Sequence, residues 1–321
     1  MMNDEDYRTG RYPGLLERHR DARFWHEWAM RALLALGGAH LLAGVVFFFA
    51  YNWDDLSAFA KFGVLQFAVV AAFAAALVLR LERPAGQAAL IAASVFTGVL
   101  LAVIGQVYQT GADAWELFAA WTVLIVPWTV VSRSGAHWFF WILVCLAACS
   151  FYGGQRLVAL GRVTPENLVA ALGLLPLLFL SLRELALRAG MDWLGGGWFR
   201  RGLALLSLGA LFFPALQFVF DTDRALPGFV AFVAASLLLG FAYATRLPDF
   251  SVVAMVVTLG TLMAMAIGGR VIFEVVDFDD NIGTLTFSLL LLSGWCVLVT
   301  SGAVRLLRHL HAGAHPEAGN D

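Results

Sequence analysis

Residues 62–79 read FGVLQFAVVAAFAAALVL and carry no charged side chain between Lys61 and Arg80. From Phe67 to Leu79 the stretch is apolar on every side. Strands of a membrane barrel would instead alternate apolar and polar residues over about ten positions. A helix needs roughly 20 apolar residues to cross about 30 Å of hydrocarbon. The stretch therefore predicts a transmembrane helix.

The rest of the chain repeats this pattern. Of its 321 residues, 60% are hydrophobic and 14% are charged, against roughly 25% charged in an ordinary soluble domain. Ten stretches of sixteen or more residues lack Asp, Glu, Lys and Arg: 32–53, 62–79, 84–112, 117–132, 134–155, 167–182, 202–220, 225–245, 250–269 and 281–304. The sequence predicts an all-α polytopic bundle of about ten spans. The two shortest, 117–132 and 167–182, are the least secure spans of the ten. A helix of about sixteen residues crosses the bilayer only with help from a flanking residue such as Trp115 or where the bilayer thins locally.

The distribution of basic residues predicts the orientation. With ten spans and a cytoplasmic N-terminus, 16 of the 21 Lys and Arg residues fall on cytoplasmic segments. The outside loops hold the other five: Lys61, Arg156, Arg162, Arg224 and Arg270. Short cytoplasmic loops carry such an excess of Lys and Arg, so both termini are predicted to be cytoplasmic. The formal net charge of −2 gives no reason to expect nucleic-acid binding.

The predicted organisation has three parts. Residues 1–31 form a cytoplasmic amphipathic segment, 32–304 the transmembrane bundle and 305–321 a cytoplasmic polar tail. Leu15, Trp25 and Trp28 lie near one side of a helix over residues 13–31, which is typical of a helix on the anionic inner leaflet. A solvated helix that runs straight into the first span is the alternative. No early apolar core precedes that span, so we expect it to be the insertion signal.

The outer end of the first predicted hairpin is polar and aromatic. It contains Tyr51, Asn52, Trp53, Asp54 and Asp55, which could bind a cation, a sugar or a partner protein. The structural interpretation is that the aromatic rings anchor the interface while one of the two aspartates caps the second span. Capping accounts for one carboxylate and leaves its neighbour unexplained.

A second polar group follows the third stretch. It contains Gln106, Tyr108, Gln109, Asp113 and Glu116. Asp113 followed three positions later by Glu116, ahead of an apolar run, predicts a capping box for the fourth span. The same two carboxylates could bind a metal or act as acid and base. Capping does not explain Gln106, Tyr108 and Gln109, whose polar groups need partners if this helix end is buried.

Few polar side chains lie inside the stretches. His40, Gln66 and Gln217 are the candidates, and His40 is the natural one for a proton relay because ionisable groups at that depth are costly. A neutral histidine bonded to a neighbouring helix is the alternative. Cys145 and Cys149 lie four residues apart without a second ligand pair. We predict neither a metal nor a cofactor.

Two motifs give a family resemblance. FAYNWD at 49–54, with Lys61 soon after it, and IGQVYQTGA at 104–112 resemble bacterial membrane proteins of the domain of unknown function 2157 family, over about residues 30–150. The resemblance implies a multi-pass protein of the bacterial inner membrane. It implies no established activity.

Three functions remain open. The leading hypothesis is a non-enzymatic scaffold that binds a partner protein or envelope component through an outer-face site: Tyr51, Asn52, Trp53, Asp54, Asp55, Gln106, Tyr108, Gln109 and Asp113. The second is a carrier for a small polar solute, with a path along His40, Gln66 and Gln217. The third is a membrane-embedded enzyme acting on lipid or glycan through Asp54, Asp55, Asp113 and Glu116. The enzyme would need two carboxylates that converge in an outer cleft.

Overall fold

The computed structural model describes residues 22–51, 56–222, 225–276 and 282–313. Within these ranges the chain is helical and has no strand. Its α-helices are α1 (Ala22–Tyr51), α2 (Ala58–Leu79), α3 (Pro84–Tyr108), α4 (Ala114–Leu124), α5 (Val126–Ser132), α6 (Gly135–Tyr152), α7 (Pro165–Arg188), α8 (Gly197–Phe220), α9 (Leu226–Phe241), α10 (Phe250–Val275) and α11 (Ile282–Gly313). A short 3₁₀ helix, Asp192–Leu194, precedes α8.

The predicted all-α polytopic bundle is confirmed. Among the described residues, eight helices have the length and hydropathy to cross a membrane, or nine if the bent pair α4 and α5 is one span. α1 is not among them, although it contains most of the first predicted stretch and continues through residue 31 without a break. The count of ten and the cytoplasmic termini stay predictions.

The two shortest predicted spans differ from each other. Stretch 167–182 lies within α7, a continuous helix of 24 residues. Stretch 117–132 is divided at Ile125, where α4 ends and α5 begins at an angle of 42°. Pro127 in the first turn of α5 explains the break, because proline lacks an N–H and its ring displaces the preceding turn.

Two of the predicted helix caps differ from those in the structure. Ser57 is the N-cap of α2 and its hydroxyl accepts from Ala60 N at 3.3 Å, so assigning that cap to Asp54 or Asp55 was wrong. Asp113 occupies the N-cap position of α4, but its side chain makes no capping bond, so the capping box was also wrong. At a third helix start, Thr164 is the N-cap of α7 and its hydroxyl accepts from Asn167 N at 3.3 Å ahead of Pro165.

The chain divides into two compact units. In the described residues, unit 1 comprises 22–51 and 56–96, and unit 2 comprises 97–222, 225–276 and 282–313. In unit 1 the described part contains α1, α2 and the first half of α3. The C-cap of α2 is Arg80, whose φ of 69° lies in the left-handed region and whose N–H returns to Leu77 O at 3.2 Å. Unit 2 contains the rest of the described helices.

The core of unit 2 surrounds α8. Leu203, Leu208 and Leu211 are fully buried there. Ser207 donates to Gly173 O on α7 at 2.8 Å, and a methyl group at Gly173 would overlap Leu211. Small residues that allow such close backbone approach are typical of membrane helix packing.

Two π-helical turns end helices of unit 2. Gly153–Val158 follows α6 and Ala242–Arg246 follows α9. A π-turn places its side chains out of register with the preceding α-helix and is frequently found at functional sites. Each of these two turns supplies side chains to a cluster of polar contacts.

Candidate functional site

The first predicted hairpin is described only in part. Tyr51 is the last residue of α1 and its side chain is exposed. Asn52, Trp53, Asp54 and Asp55 lie outside the described residues. Their part in a site therefore stays a prediction.

The second group begins where α3 ends. Gln109 has a φ of 46°, Thr110 N donates to Gly105 O at 3.3 Å, and Gln109 N donates to Gln106 O at 3.4 Å. These bonds form the helix ending in which glycine usually occupies the left-handed position. A non-glycine residue there costs about 1–2 kcal/mol. The chain therefore keeps a glutamine where glycine would be more stable.

The side chains of this ending face outward. Gln106 and Gln109 are exposed, and 68% of Tyr108 is accessible. Gly111, with a φ of 64°, turns the chain toward α4. Gln106, Tyr108 and Gln109 therefore form an exposed segment on a fixed turn. The sequence argument that these side chains need protein partners assumed a buried helix end, and this end is exposed.

Asp113 lies next to this segment and has a partner from another helix. One of its carboxylate oxygens lies 2.8 Å from Arg156 Nη2, and both side chains are about half exposed. The Trp115 indole also donates to Asp113 at 3.4 Å. The carboxylate turns toward Arg156 and away from the start of α4, which is why the predicted cap is absent.

The π-turn after α6 provides a second attachment. Gln155 Oε1 accepts from Trp115 N at 3.4 Å, and the rings of Trp115 and Tyr152 meet edge to face at 5.2 Å. We call Asp113, Trp115, Tyr152, Gln155 and Arg156 the Asp113 cluster. It fixes the start of α4 against the end of α6.

A second polar cluster lies at the other end of unit 2, where α7 leads into α8. We call it the arginine network, and it consists of Arg183, Glu184, Arg200, Arg201, Tyr243 and Asp249. Glu166 and Glu184 mark the two ends of α7 and are about 27 Å apart along it at 1.5 Å per residue. That separation is close to the thickness of the hydrocarbon layer, so the two clusters suit opposite membrane faces.

Asp249 is the buried centre of the arginine network. Its side chain is 1% exposed and lies 3.0 Å from Arg200 Nη2. Both its oxygens accept from Arg201 Nε at 3.2 Å. It also caps α10 by accepting from Ser251 N at 3.0 Å and Val252 N at 3.4 Å. One carboxylate therefore balances two guanidinium groups.

Arg183 and Glu184 complete the network from α7. Arg183 is 2% exposed, donates to Glu184 and also donates to Gly196 O at 3.3 Å. Glu184 accepts from the Tyr243 hydroxyl at 3.0 Å. These contacts join α7 to the N-cap of α8 and to the π-turn after α9.

Two of the three intramembrane polar residues bond to groups of the protein. The His40 ring bonds to Leu36 O of its own helix at 2.8 Å, in place of the predicted neighbouring helix. Gln217 donates to Glu166 at 3.4 Å. Gln66 is exposed on α2. A groove of about 570 Å³ between α7 and α9 contains none of the three, and its lining residues are apolar. In the described ranges, no group of three His, Cys, Asp or Glu side chains is placed to hold a metal.

The contacts that sequence reasoning missed join residues far apart in the chain. Asp113 and Arg156 are separated by 43 positions, and Arg201 and Asp249 by 48. The arginines of the network were interpreted only as topology signals. The available clue was Asp249 directly before a long apolar run, which predicts a cap but not the two arginines that it binds.

Comparison with known protein families gives a match over the N-terminal part of the chain. Residues 9–138 match a family described as predicted membrane protein (DUF2157). This confirms the resemblance predicted from the two motifs, and both motifs lie inside the matched segment. No curated protein and no solved structure matches the chain. The match includes Gln106, Tyr108, Gln109 and Asp113 but ends before Arg156 and the arginine network.

Proposed function

We propose that this multi-pass membrane protein is a non-enzymatic scaffold of the bacterial inner membrane that binds a partner protein at its outer face. The binding surface consists of Gln106, Tyr108 and Gln109 with the adjoining Asp113 cluster. The observation that carries the proposal is Gln109 in a left-handed conformation, with its amide held outward beside Tyr108. Residues in sparsely populated backbone conformations cluster at active sites, ligand clamps and switch regions.

The composition of the surface favours a protein as the partner. Tyr108, Trp115, Tyr152 and Arg156 belong to the residue types that dominate the energetics of protein interfaces. Exposed amides and one half-exposed ion pair provide hydrogen bonds around them. A surface of this kind needs no cavity, in contrast to a site for a small solute.

The two alternative functions receive less support. A proton or solute path would need His40 and Gln217 to face a polar channel, and each instead bonds to a group of the protein. The membrane-embedded enzyme would need a carboxylate placed for proton transfer. Asp113 instead forms an ion pair with Arg156 at 2.8 Å, among the contacts that join the start of α4 to the end of α6.

The proposal is tested by photo-crosslinking in cells. A photoreactive amino acid replaces Tyr108, and adducts are resolved by mass. We expect one discrete protein adduct. The matched control places the same amino acid at Phe213, an exposed apolar position within α8, where only lipid adducts should form. Lipid adducts alone at Tyr108 would refute the proposal. A glycan adduct would show that the ligand is an envelope component and not a protein.

Gln109→Gly separates binding from folding. Glycine relieves the left-handed strain, so the variant should unfold at the same temperature as wild type or higher. Loss of the amide should nevertheless reduce the protein adduct at Tyr108 severalfold. An unchanged adduct would show that the Gln109 side chain has no part in binding.

A further inference from the structure

We propose that the arginine network binds the phosphate of an anionic phospholipid in the leaflet at its membrane face, with Arg201 as the principal contact. This inference is independent of the proposed partner protein, because the network lies at the opposite end of α7 from the Asp113 cluster. Charge, hydrogen bonding and depth in the membrane each support it.

The two ends of unit 2 carry opposite charge. In its described part, the end with the arginine network has eight arginines and three carboxylates: Arg133, Arg183, Arg188, Arg200, Arg201, Arg246, Arg305 and Arg308 with Glu184, Asp192 and Asp249. The other end has three arginines and five carboxylates: Arg156, Arg162 and Arg270 with Asp113, Glu116, Glu166, Asp221 and Glu274. A positive end is attracted to anionic lipid.

The network itself is short of one negative charge. Arg183 is matched by Glu184, which leaves Asp249 as the only network carboxylate against Arg200 and Arg201. The Nε atom of Arg200 is also buried without a hydrogen-bond partner among the described residues. Partly buried charges are stable when they are paired, so an additional anion would complete the network.

Arg201 is the group that can reach this anion. Its Nε donates to Asp249, while 46% of its side chain remains exposed. The two Nη groups can therefore donate outward as a fork, the geometry in which arginine binds phosphate. Asp249 holds the guanidinium in place, so little rotamer freedom is lost on binding.

An exposed tryptophan places Arg201 at the depth of lipid headgroups. Trp198 precedes Arg201 by three positions on α8, which puts both on one helix face, and its side chain is 51% exposed. Its ring also packs against Phe139 at 5.7 Å. Tryptophan is enriched at the membrane interface, where lipid phosphates lie. A lipid is therefore favoured over free phosphate.

The test uses delipidated full-length protein in a non-ionic detergent. It is titrated with phosphatidylglycerol or with phosphatidylcholine of the same acyl chains, and bound lipid is counted by native mass spectrometry. We expect wild type to prefer phosphatidylglycerol and Arg201→Gln to bind it about tenfold more weakly, as the loss of one charge-assisted contact predicts. Binding of phosphatidylcholine should not change.

Two matched variants complete the design. Arg162→Gln, at the other end of unit 2, should bind phosphatidylglycerol as wild type does. Arg246→Gln, an exposed arginine three residues before Asp249, should weaken binding about fivefold and serves if Arg201→Gln does not fold. Equal phosphatidylglycerol binding by wild type, Arg201→Gln and Arg246→Gln would overturn the proposal. Displacement of the lipid by millimolar inorganic phosphate would overturn the choice of a lipid as the ligand.

Discussion

The Tyr243 hydroxyl donates a hydrogen bond to Glu184 at 3.0 Å, across 59 residues of sequence. Tyr243 lies in the π-turn after α9, and Glu184 lies one turn before the end of α7. The guanidinium of Arg200, from α8, lies over the tyrosine ring, 5.4 Å from its centroid. One tyrosine therefore connects the ends of three helices through polar contacts.

Tyr243→Phe removes this hydrogen bond and keeps the ring. The Glu184 carboxylate is largely buried and would lose a donor, so we expect unfolding to become easier by about 1–3 kcal/mol. The measurement is thermal or denaturant unfolding in detergent. Tyr152→Phe, at an exposed tyrosine, is the control and should change stability by less than about 0.5 kcal/mol. Equal effects of the two changes would mean that the bond contributes nothing.

Asp249→Asn tests the centre of the arginine network. Asparagine still caps α10 but leaves Arg200 and Arg201 without a counter-charge. Removing one partner from a buried ion pair is strongly destabilising, so we expect a loss of about 3 kcal/mol. Asp192→Asn is the control, because Asp192 is exposed at the same end of unit 2 and should cost under about 0.5 kcal/mol. A wild-type unfolding midpoint for Asp249→Asn would show that solvent screens the network.

The helices could be predicted from the sequence because each depends on a local property. A charge-free stretch long enough to cross the bilayer marks every span, and Pro127 marks the break between α4 and α5. The capping of α7 by Thr164 is equally local. The N-terminal caps of α2 and α4 were misassigned because several polar residues compete at each helix start. Ser57 takes the capping position of α2, and Arg156 binds the Asp113 carboxylate that was expected to cap α4.

The polar clusters could not be predicted, because they depend on which helices are neighbours. Asp249 and Arg201 belong to different helices, and their attraction appears in the sequence only as two isolated charges. The left-handed conformation of Gln109 could not be predicted from the sequence either. Glycine is the residue that indicates such a helix ending, and this position has a glutamine. Gln109 and Asp113 were nevertheless among the predicted site residues, because they follow the end of a predicted span.

Gly268 lies under the indole of Trp295, and Gly268→Ala tests this helix contact. A methyl group there would overlap the ring, whose Nε1 donates to Ala264 O at 2.9 Å. Displacing the ring breaks this hydrogen bond between α10 and α11, so we expect a loss of about 1–3 kcal/mol. Gly260→Ala, in open space on the same helix, should unfold like wild type. Equal stability of both variants would mean that the contact between α10 and α11 is adaptable.

The ten-span topology is tested by single cysteines in a chain that lacks Cys145, Cys149 and Cys296. Positions 57, 166 and 279 should react with an impermeant thiol reagent in intact cells, because all three are predicted to face outward. Positions 83 and 188 should react only after the membrane is opened. Labelling at 188 but not at 279 in intact cells would exclude ten spans with a cytoplasmic N-terminus.

The contribution of the pair of Asp113 and Arg156 to stability can be predicted from its exposure. Both side chains are about half exposed, and such pairs contribute about 0–1 kcal/mol. Asp113→Asn and Arg156→Gln should therefore each cost at most about 1 kcal/mol in detergent unfolding. In a double-mutant cycle their coupling should be similarly small. A loss above about 2 kcal/mol would mean that the pair is a structural requirement.

Exchanging the two charges then distinguishes positioning from contact with a partner. The double variant Asp113→Arg with Arg156→Asp keeps an ion pair at the same place but reverses the charge that each position presents to the outer surface. If these side chains touch the partner, stability should be close to wild type while the protein adduct at Tyr108 is lost, because reversed charges oppose a complementary interface. The measurements are unfolding in detergent and photo-crosslinking in cells. Recovery of both stability and the adduct would show that the pair only fixes α4 against the end of α6, and would leave Gln106, Tyr108 and Gln109 as the binding surface.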